Sequence, residues 1–272
     1  MRHPYFSLPT PIVIGHRGCA GSAPENTLFA FERGLAAGAA ILESDVHLTR
    51  DGVPVLLHDP DVDRVTDGSG PVANLPLNEL QELDAGCRFR SESGQDFPFR
   101  GQGLRVPTLE ESLNAFPGAR FNLEIKTPGE AAIAATASVI SRMERAALTL
   151  LTAESGEAMR CLRRHLAERR LGIAHGASTE DVLAVIQSAA DGSPPETPAM
   201  VLQIPLEFAN RPLVTEALIA HAHRHGIQVH VWTINDEEEM SALLDLGVDG
   251  IITDHPQRLA DLIERRRTRA AH

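Results

Sequence analysis

The sequence predicts an α/β protein folded as a TIM (β/α)₈ barrel, and three observations support this fold class. The chain has 272 residues, close to the roughly 250 that are typical of one such barrel. Eight short apolar segments alternate with amphipathic stretches along the chain, which is the pattern of repeated strand–helix units. No Gly-x-Gly-x-x-Gly motif follows the first apolar segment, which weakens the alternative of an open dinucleotide-binding sheet.

The eight predicted strands are apolar for most of their length, as expected of parallel strands that are buried on both faces. In chain order they are Ile12–His16, Ile41–His47, Phe121–Lys126, Ala147–Thr152, Leu171–Ala174, Ala199–Ile204, Gln228–Ile234 and Gly250–Asp254. Helices are predicted between them, from cap residues and apolar periodicity. These helices are Thr27–Ala37, Gly129–Arg145, Glu154–Glu168, Thr179–Ala189, Pro212–His225, Asp236–Leu246 and a last helix that begins at Pro256.

One segment interrupts this alternation. Val53–His58 resembles a ninth strand, and only four residues with an Asp-Gly pair separate it from the second strand. Such a short link permits a hairpin but no parallel crossover. We therefore expect the second strand to fold back on itself and an insertion at about residues 59–107 to lie over the catalytic face. The insertion contains a short predicted helix, Pro76–Asp84, and the helix Thr108–Phe116 follows it; the whole chain, residues 1–272, is expected to form a single domain.

The amino-acid composition argues against several classes of binding partner and of structural site. A formal net charge of −12 and a pI near 5.4 argue against nucleic acid, which is bound by basic surfaces. The three cysteines share no Cys-x-x-Cys spacing, which argues against a zinc knuckle or a disulfide framework. Neither a signal peptide nor an apolar run long enough for an integral membrane segment is evident. We expect a cytoplasmic protein that acts on a small molecule; the oligomeric state stays open.

Charged residues end the early strands, where a TIM barrel builds its active site. Glu43 and Asp45 are two residues apart and therefore project from the same face of their strand. Glu124, at the end of the next strand, can complete an all-oxygen site for a hard divalent cation, Mg²⁺ or Ca²⁺. The alternative is that these carboxylates form ion pairs with Arg17 and Lys126.

Two histidines also end strands. His16 closes the first strand, and hairpin pairing places His58 opposite the Ser44–Asp45 region. Histidine is the commonest general acid or base near neutral pH. Two imidazoles beside a carboxylate cluster therefore indicate acid–base catalysis, or a metal flanked by both rings.

An ordered set of short motifs resembles the glycerophosphodiester phosphodiesterase family over about residues 12–256. The motifs are His16-Arg17-Gly18, Pro24-Glu25-Asn26-Thr27, Glu43-x-Asp45-Val46, Thr49-x-Asp51-Gly52, Val55-x-x-His58-Asp59, Leu123-Glu124-Ile125-Lys126, Pro107-Thr108-Leu109-Glu110-Glu111, Val231-Trp232-Thr233 and Gly247-Val248-Asp249-Gly250-Ile251-Ile252-Thr253-Asp254. Each motif is weak alone, but their order is specific.

The resemblance implies a TIM barrel with a small insertion after the second strand, and metal-dependent hydrolysis of glycerophosphodiesters to sn-glycerol 3-phosphate and an alcohol. It implies the following site: metal ligands Glu43, Asp45 and Glu124; acid/base residues His16 and His58; phosphate-binding residues Arg17 and Lys126; and Trp232 in the pocket for the alcohol group.

Several other residues have two interpretations. Cys19 is near His16 and is either a nucleophile or, more simply, a small buried side chain. His221 and His225 share a helix face and form either a metal site or a solvated helix end. Asp254 is interpreted first as a helix cap, and Trp232 is as consistent with core packing as with a site.

Two alternative functions stay open. A lysophospholipase D-type phosphodiesterase would share the catalytic residues but would show an exposed apolar patch or an apolar rim on the insertion. A non-catalytic barrel binding protein would be expected to lose a histidine or a carboxylate, and none of those residues is lost here.

Overall fold

The computed structural model of the chain describes residues 3–90, 94, 96–153 and 155–270, and in them eight parallel strands form a nearly closed barrel. The barrel strands are β1 (Ile12–Gly15), β2 (Ile41–Leu48), β4 (Arg120–Ile125), β5 (Thr149–Ala153), β6 (Ala174–His175), β7 (Val201–Ile204), β10 (Gln228–Val231) and β11 (Gly250–Thr253). Their order is β6-β5-β4-β2-β1-β11-β10-β7. The predicted fold class is confirmed, and β6 and β7 form the seam opposite β1 and β2.

Helices alternate with the strands. They are α1 (Leu28–Ala36), α2 (Leu77–Leu80), α3 (Leu109–Ala115), α4 (Glu130–Arg142), α5 (Gly156–Glu168), α6 (Thr179–Asp191), α7 (Glu216–Arg224), α8 (Glu237–Leu246) and α9 (Pro256–Ala270). Most begin at a side chain that caps the free backbone N–H groups: the Thr27 hydroxyl accepts from the Ala30 N–H, and the Ser155 hydroxyl accepts from the Ala158 N–H. Glu154, where the sequence prediction began the fifth helix, lies outside the described residues.

The hairpin predicted after β2 is confirmed. Strand β3 (Pro54–Leu56) pairs antiparallel to the end of β2, with Val46 opposite Leu56. The Leu57 N–H donates to the Asp45 carbonyl at 3.1 Å, which carries the pairing one residue further toward His58. The hairpin therefore delivers His58 to the carboxyl end of the barrel.

The insertion after β3 has an apolar cluster of its own, formed by Val55, Leu57, Val62, Val72, Leu80, Ala85 and Val106. It was expected to lie over the catalytic face. None of its described residues lines the cavity at the carboxyl end of the barrel, and its apolar cluster includes Val55 and Leu57 of the β2–β3 hairpin. Arg64 of the insertion nevertheless reaches Glu25, which pairs with Arg17 at the edge of that cavity.

Apolar side chains close the opposite end of the barrel. The turn Pro4–Phe6 places Tyr5 and Phe6 against the first residues of several strands, among them Ile12, Ile41 and Leu150. The Arg120 guanidinium fastens this turn by donating to the Tyr5 carbonyl at 3.1 Å. Apolar side chains thus fill the amino end of the barrel.

Several predicted boundaries differ from the structure, among them Ala147–Thr152, which is Thr149–Ala153, and the helix Pro76–Asp84, which is Leu77–Leu80; two further differences concern the elements around the barrel seam. The sixth strand is Ala174–His175 instead of Leu171–Ala174, because Arg170 and Gly172 have positive φ angles of 52° and 60° that end α5 in a turn and cannot continue a strand. The helix predicted from Pro212 begins after the Thr215 cap.

The residues before that helix form a small hairpin that the sequence analysis missed. Its strands are β8 (Glu207–Phe208) and β9 (Arg211–Pro212), which pair antiparallel. The two residues between them, Ala209 and Asn210, have φ angles of 51° and 59°, the backbone of a two-residue turn. The hairpin projects beside the mouth of the barrel and places Phe208 in solvent.

Within the described ranges, no helix combines the length and the hydropathy needed to cross a bilayer.

The start of α6 depends on one buried carboxylate. Asp181 accepts from the Ser178 N–H and hydroxyl, and Arg163 donates to it at 2.6 Å. Burial alone would raise the pKa of Asp181, but the hydrogen bonds from Arg163, Thr197 and Ser178 outweigh it and lower the pKa to about 2. The stabilisation is therefore present above the ordinary pKa of 3.8 and is lost as the pH falls toward 2.

Asp181→Asn is expected to lower the free energy of unfolding at pH 7 by about 2–4 kcal/mol, because it removes the charge that Arg163 faces in a buried site. Urea titrations measure this, and the difference from wild type should shrink below pH 4. Glu180→Gln is the matched control, because the Glu180 side chain is 61% exposed and its Arg160 partner lies 3.7 Å away; its free energy of unfolding should stay close to that of wild type. Equal losses in both variants would contradict this account.

Candidate active site

A cavity of about 540 Å³ opens at the carboxyl end of the barrel. All the charged residues that line it come from β1, β2, β4 and the end of the β3 hairpin, and they are His16, Arg17, Glu43, Asp45, His58, Glu124 and Lys126. The structure therefore brings together every catalytic, metal-binding and phosphate-binding residue that the sequence analysis named. Trp232, which follows β10, also lines the cavity.

Two carboxylates lie deep in the cavity. Glu43 and Asp45 occupy alternate positions on β2 and are only 8% and 2% exposed. Glu124 lies beside Asp45 in the parallel register of β2 and β4. Burial, and secondly the charge of Asp45, raise the pKa of Glu43 to about 7. Two buried carboxylates this close are stable together only when a proton or a cation joins them.

Arg17 is held in an unusual backbone conformation at the end of β1. Its φ angle is 49°, and its N–H donates to Glu43 Oε2 at 3.1 Å. The next residue, Gly18, has a φ of 92° and packs so closely that a Cβ there would lie 2.6 Å from the Ala30 backbone. This explains the glycine of the His-Arg-Gly motif, since a side chain at that position would displace the turn.

Cationic side chains pair with the carboxylates. Arg17 Nε lies 3.5 Å from Asp45 Oδ2, and Lys126 Nζ lies 2.8 Å from Glu124 Oε2 and 3.6 Å from Asp45 Oδ1. Burial opposes the charged form of Lys126, but Glu124 and Asp45 outweigh it and raise its pKa. The sequence analysis gave ion pairs with Arg17 and Lys126 as the alternative to a metal site, and Asp45 forms both of them, whereas Glu43 meets Arg17 only through the backbone N–H.

Each histidine is held by a carboxylate at Nδ1. His16 Nδ1 lies 2.6 Å from Asp254 Oδ1, and His58 Nδ1 lies 2.7 Å from Asp59 Oδ1. Because a carboxylate only accepts hydrogen bonds, Nδ1 is the donor and Nε2 is the nitrogen left for chemistry. Burial alone would lower the pKa of His16, but Asp254 and Glu43 outweigh it and raise the pKa.

The carboxylate behind His16 was not recognised from the sequence. Asp254 was interpreted first as a helix cap, but its two oxygens face His16 and the Asn235 side-chain amide, which donates at 2.6 Å. The only available signal was its position at the end of β11, beside β1. Strands β1 and β11 are neighbours only because the barrel closes, which the sequence does not show locally.

The carboxylate behind His58 belongs to a chain of ionic contacts that the sequence analysis also missed. Arg64 donates to Asp59 at 2.5 Å and to both oxygens of Glu25 at 2.7 Å, and Arg17 donates to Glu25 at 2.8 Å. Burial alone would raise the pKa of Asp59, but Arg64 and His58 outweigh it and lower the pKa to about 2. Glu25 and Asp59 stood in the quoted motifs, whereas nothing in the sequence distinguished Arg64 from other arginines of the insertion.

The donor set fits a hard divalent cation in its chemistry. Glu43, Asp45 and Glu124 offer only oxygen, and burial beside Asp45 raises the pKa of Glu43. Within the described ranges, however, no three His, Cys, Asp or Glu side chains converge as closely as metal ligands do. The reason is visible in the geometry, since Lys126 lies between Glu124 and Asp45.

The structure distinguishes between the two interpretations of each remaining candidate residue. Cys19 is buried, with its Sγ 3.0 Å from the Ser22 hydroxyl, and it does not line the cavity. His221 was expected at a solvated helix end, but it is 1% exposed and contacts the Ser188 hydroxyl at 2.8 Å. Trp232 is 44% exposed, so core packing does not explain it.

Comparisons with known proteins point to one family. The model of the glycerophosphoryl diester phosphodiesterase family matches residues 16–258. The chain is 32% identical to the probable glycerophosphodiester phosphodiesterase 2 of Mycobacterium tuberculosis, over 93% of this chain and 90% of that protein. It is 27% identical to the lysophospholipase D named GDPD1 of Mus musculus, over 92% of this chain and 85% of that protein.

A solved structure is also similar. It is the Oleispira antarctica phosphodiesterase in complex with the product sn-glycerol-3-phosphate, at 29% sequence identity and a TM-score of 0.74, with 93% of this chain and 97% of that chain covered.

Proposed function

The chain belongs to the glycerophosphoryl diester phosphodiesterase family, and from that premise we propose that it hydrolyses glycerophosphodiesters to sn-glycerol 3-phosphate and an alcohol. The single observation that carries the proposal is the pair of histidines, each held by a carboxylate, beside a cluster of carboxylates and cations in one cavity. The product named for the similar Oleispira antarctica phosphodiesterase supports the same reaction.

A divalent cation, Mg²⁺ or Ca²⁺, belongs to the proposal. Glu43, Asp45 and Glu124 would hold it, with Lys126 turned away from Glu124 toward the substrate. A bound cation offsets the charge that builds on the phosphoryl oxygens in the transition state. It would also relieve the repulsion between the buried carboxylates of β2.

The chain's own residues supply the rest of the chemistry. Arg17 presents a planar guanidinium that matches two phosphate oxygens, and Lys126 adds a point charge. His16 and His58 divide the acid and base roles. One removes the proton of the attacking hydroxyl, and the other protonates the leaving alkoxide. Trp232 lines the side of the cavity that faces the alcohol group.

Two routes satisfy this arrangement. Either water attacks phosphorus directly, or the 2-hydroxyl of the glycerol attacks first and a cyclic phosphate is then hydrolysed. A substrate whose 2-hydroxyl is replaced by hydrogen separates them. Loss of reaction with this analogue supports internal attack, whereas an unchanged rate supports direct attack by water.

The proposal is tested by measuring sn-glycerol 3-phosphate release from glycerophosphocholine and glycerophosphoethanolamine with the purified protein and added Mg²⁺ or Ca²⁺. Release that depends on enzyme concentration is expected. Absence of release from both diesters under all metal conditions would contradict it.

Arg17→Lys is expected to lower kcat/KM for glycerophosphocholine by about 10–100-fold although the charge is kept, because an ammonium cannot form two parallel hydrogen bonds to phosphate. Arg163→Lys is the matched control, since Arg163 also pairs with a buried carboxylate but lies away from the cavity. It should leave kcat/KM within about twofold while lowering stability. A kcat/KM of Arg17→Lys equal to that of wild type would rule out bidentate phosphate binding.

A further inference from the structure

Large exposed apolar side chains gather at the mouth of the cavity. Among the described residues, only four large hydrophobic side chains are classed as exposed, and three of them line this cavity: Leu183 (53%), Phe208 (63%) and Trp232 (44%). The fourth, Leu28, lies on α1 outside it. Exposed apolar groups that cluster at a cavity and are rimmed by polar residues commonly mark a binding surface.

The topology places this apolar surface opposite the charged residues. Leu183 lies in the first turns of α6, which connects β6 to β7 across the seam of the barrel. Phe208 lies on the β8–β9 hairpin that follows β7. The charged groups come from β1, β2 and β4, on the far side of the strand order. The cavity therefore has one ionic wall and one apolar wall.

The apolar wall has six side chains in the cavity lining. It is formed by Val182, Leu183, Ile186, Phe208, Leu213 and Trp232. Its polar neighbours in the lining, such as Ser178, Thr179 and Gln203, are uncharged. A quaternary ammonium would favour an aromatic cage or a nearby carboxylate, but most of this wall is aliphatic and no carboxylate of the lining lies on it. Its chemistry matches a hydrocarbon chain.

We propose that the part of the apolar wall on α6 and the β8–β9 hairpin is an acyl-chain subsite, so that the substrate class of this enzyme is a lysophospholipid whose phosphodiester reacts at the ionic wall; Trp232, at the edge of this wall, stays beside the head-group alcohol. This inference rests on the proposed function, because it uses the same phosphate site. The acyl chain, esterified to the glycerol, would leave the ionic wall and lie along Ile186, Leu183 and Phe208. Of the two features that the sequence analysis expected of such an enzyme, an exposed apolar patch or an apolar rim on the insertion, the structure has the first, on α6 and the β8–β9 hairpin.

The reaction is the proposed hydrolysis with a longer substrate. The oxygen of the attacking hydroxyl forms a bond to phosphorus, and the bond between phosphorus and the head-group alcohol oxygen breaks. One histidine takes the proton of the attacking group, and the other gives a proton to the departing alcohol. Water supplies the new oxygen on phosphorus, either directly or by opening a cyclic phosphate, so that lysophosphatidylcholine gives a lysophosphatidic acid and choline.

A chain-length series tests the subsite. The value of kcat/KM is measured for glycerophosphocholine and for its 1-hexanoyl, 1-octanoyl and 1-decanoyl esters, all below the concentrations at which micelles form. Each added pair of methylenes is expected to raise kcat/KM by about threefold or more, because each methylene leaves water for the apolar wall. A kcat/KM that does not change with chain length would overturn the proposal.

Substitution of the wall identifies its residues. In Leu183→Ser/Phe208→Ser, the ratio of kcat/KM for the decanoyl ester to that for glycerophosphocholine is expected to fall at least tenfold. Leu28→Ser is the matched control, since it also replaces an exposed apolar residue but lies outside the cavity; its ratio should stay within twofold of wild type. An unchanged ratio in the double variant would remove these residues from the subsite.

A binding measurement distinguishes failure of the acyl-chain subsite from failure of the proposed hydrolase function. Trp232 is the only tryptophan of the chain, so intrinsic fluorescence reports on this wall. Dodecylphosphocholine, titrated below its micelle threshold, should shift the emission to shorter wavelength in a saturable manner, with an apparent Kd at least fivefold weaker in the double variant. Saturable binding without hydrolysis of any diester would leave the subsite standing and reject the proposed function. Hydrolysis of glycerophosphocholine without saturable binding or chain-length dependence would reject the subsite alone.

Discussion

His16→Ala and His58→Ala are each expected to lower kcat for glycerophosphocholine by about 10²–10⁴-fold, the contribution typical of a positioned general acid or base. The two rings enter one cavity and each has Nδ1 fixed by a carboxylate, which leaves Nε2 for proton transfer. Loss of either ring leaves one proton transfer without a partner. Steady-state kinetics with folded variants, confirmed by circular dichroism, measure the loss.

His223→Ala is the matched control for both variants. Its Nε2 also contacts a carboxylate, Asp249, at 2.7 Å, but His223 lies on α7 and does not line the cavity. It should keep kcat within about twofold of wild type. The wild-type profile of kcat/KM against pH is expected to be bell-shaped, and each active variant should lose one limb. If either variant keeps wild-type kcat across the pH range, the assignment of two histidines is wrong.

Removal of divalent metal is the second large effect, with hydrolysis expected to fall by at least about 10³-fold after treatment with EDTA and to return with Mg²⁺ or Ca²⁺. The reason is electrostatic, because an anionic diester must approach the buried carboxylates Glu43 and Asp45. Titration calorimetry should detect cation binding in wild type. Since burial and Asp45 raise the pKa of Glu43 to about 7, a proton competes with the metal, and affinity should fall as the pH is lowered below 7.

Glu43→Gln should abolish this binding while the fold is kept. Asp249→Asn is the matched control, because Asp249 is also 8% exposed but lies outside the cavity; its cation affinity should equal that of wild type. Full hydrolysis by a sample shown to be metal-free by elemental analysis would contradict the metal assignment.

The barrel was predictable because its signals are local. Each strand is a short apolar run, and caps such as Thr27 and Asp236 mark where helices begin. Where two local signals conflicted, the prediction failed. Leu171 and Ile173 read as strand, but the positive φ angles at Arg170 and Gly172 bend the chain through a turn first. The β8–β9 hairpin has no Asn-Gly or Asp-Gly pair, so its Ala-Asn turn was missed.

The charged residues of the candidate site were predictable for a similar reason, since residues that end neighbouring parallel strands must meet at one end of the barrel. The contacts that hold these residues in place were not predictable from the sequence. Asp254 meets His16 only because β11 closes against β1, 238 residues away along the chain. Arg64 lies 39 residues from Glu25 along the chain, in the turns that follow β3, where no periodicity predicts which side chains meet.

The apolar wall was missed because each of its members has a simpler local interpretation. Leu183 fits the apolar positions of an amphipathic helix, and Phe208 follows a buried strand as a core residue would. Only their exposure in the folded chain, at 53% and 63%, distinguishes them from core residues.

The central claim is that this cavity breaks the bond between phosphorus and the alcohol of a glycerophosphodiester, and ³¹P nuclear magnetic resonance tests it most directly. Purified wild-type protein is incubated with glycerophosphocholine and Mg²⁺ or Ca²⁺, with the His16→Ala/His58→Ala variant alongside. The account predicts that the diester signal of the wild-type sample is replaced by that of sn-glycerol 3-phosphate, with one choline released per phosphate, and that the variant sample does not change. Persistence of the diester in the wild-type sample, or its conversion to phosphocholine and glycerol, would contradict the account.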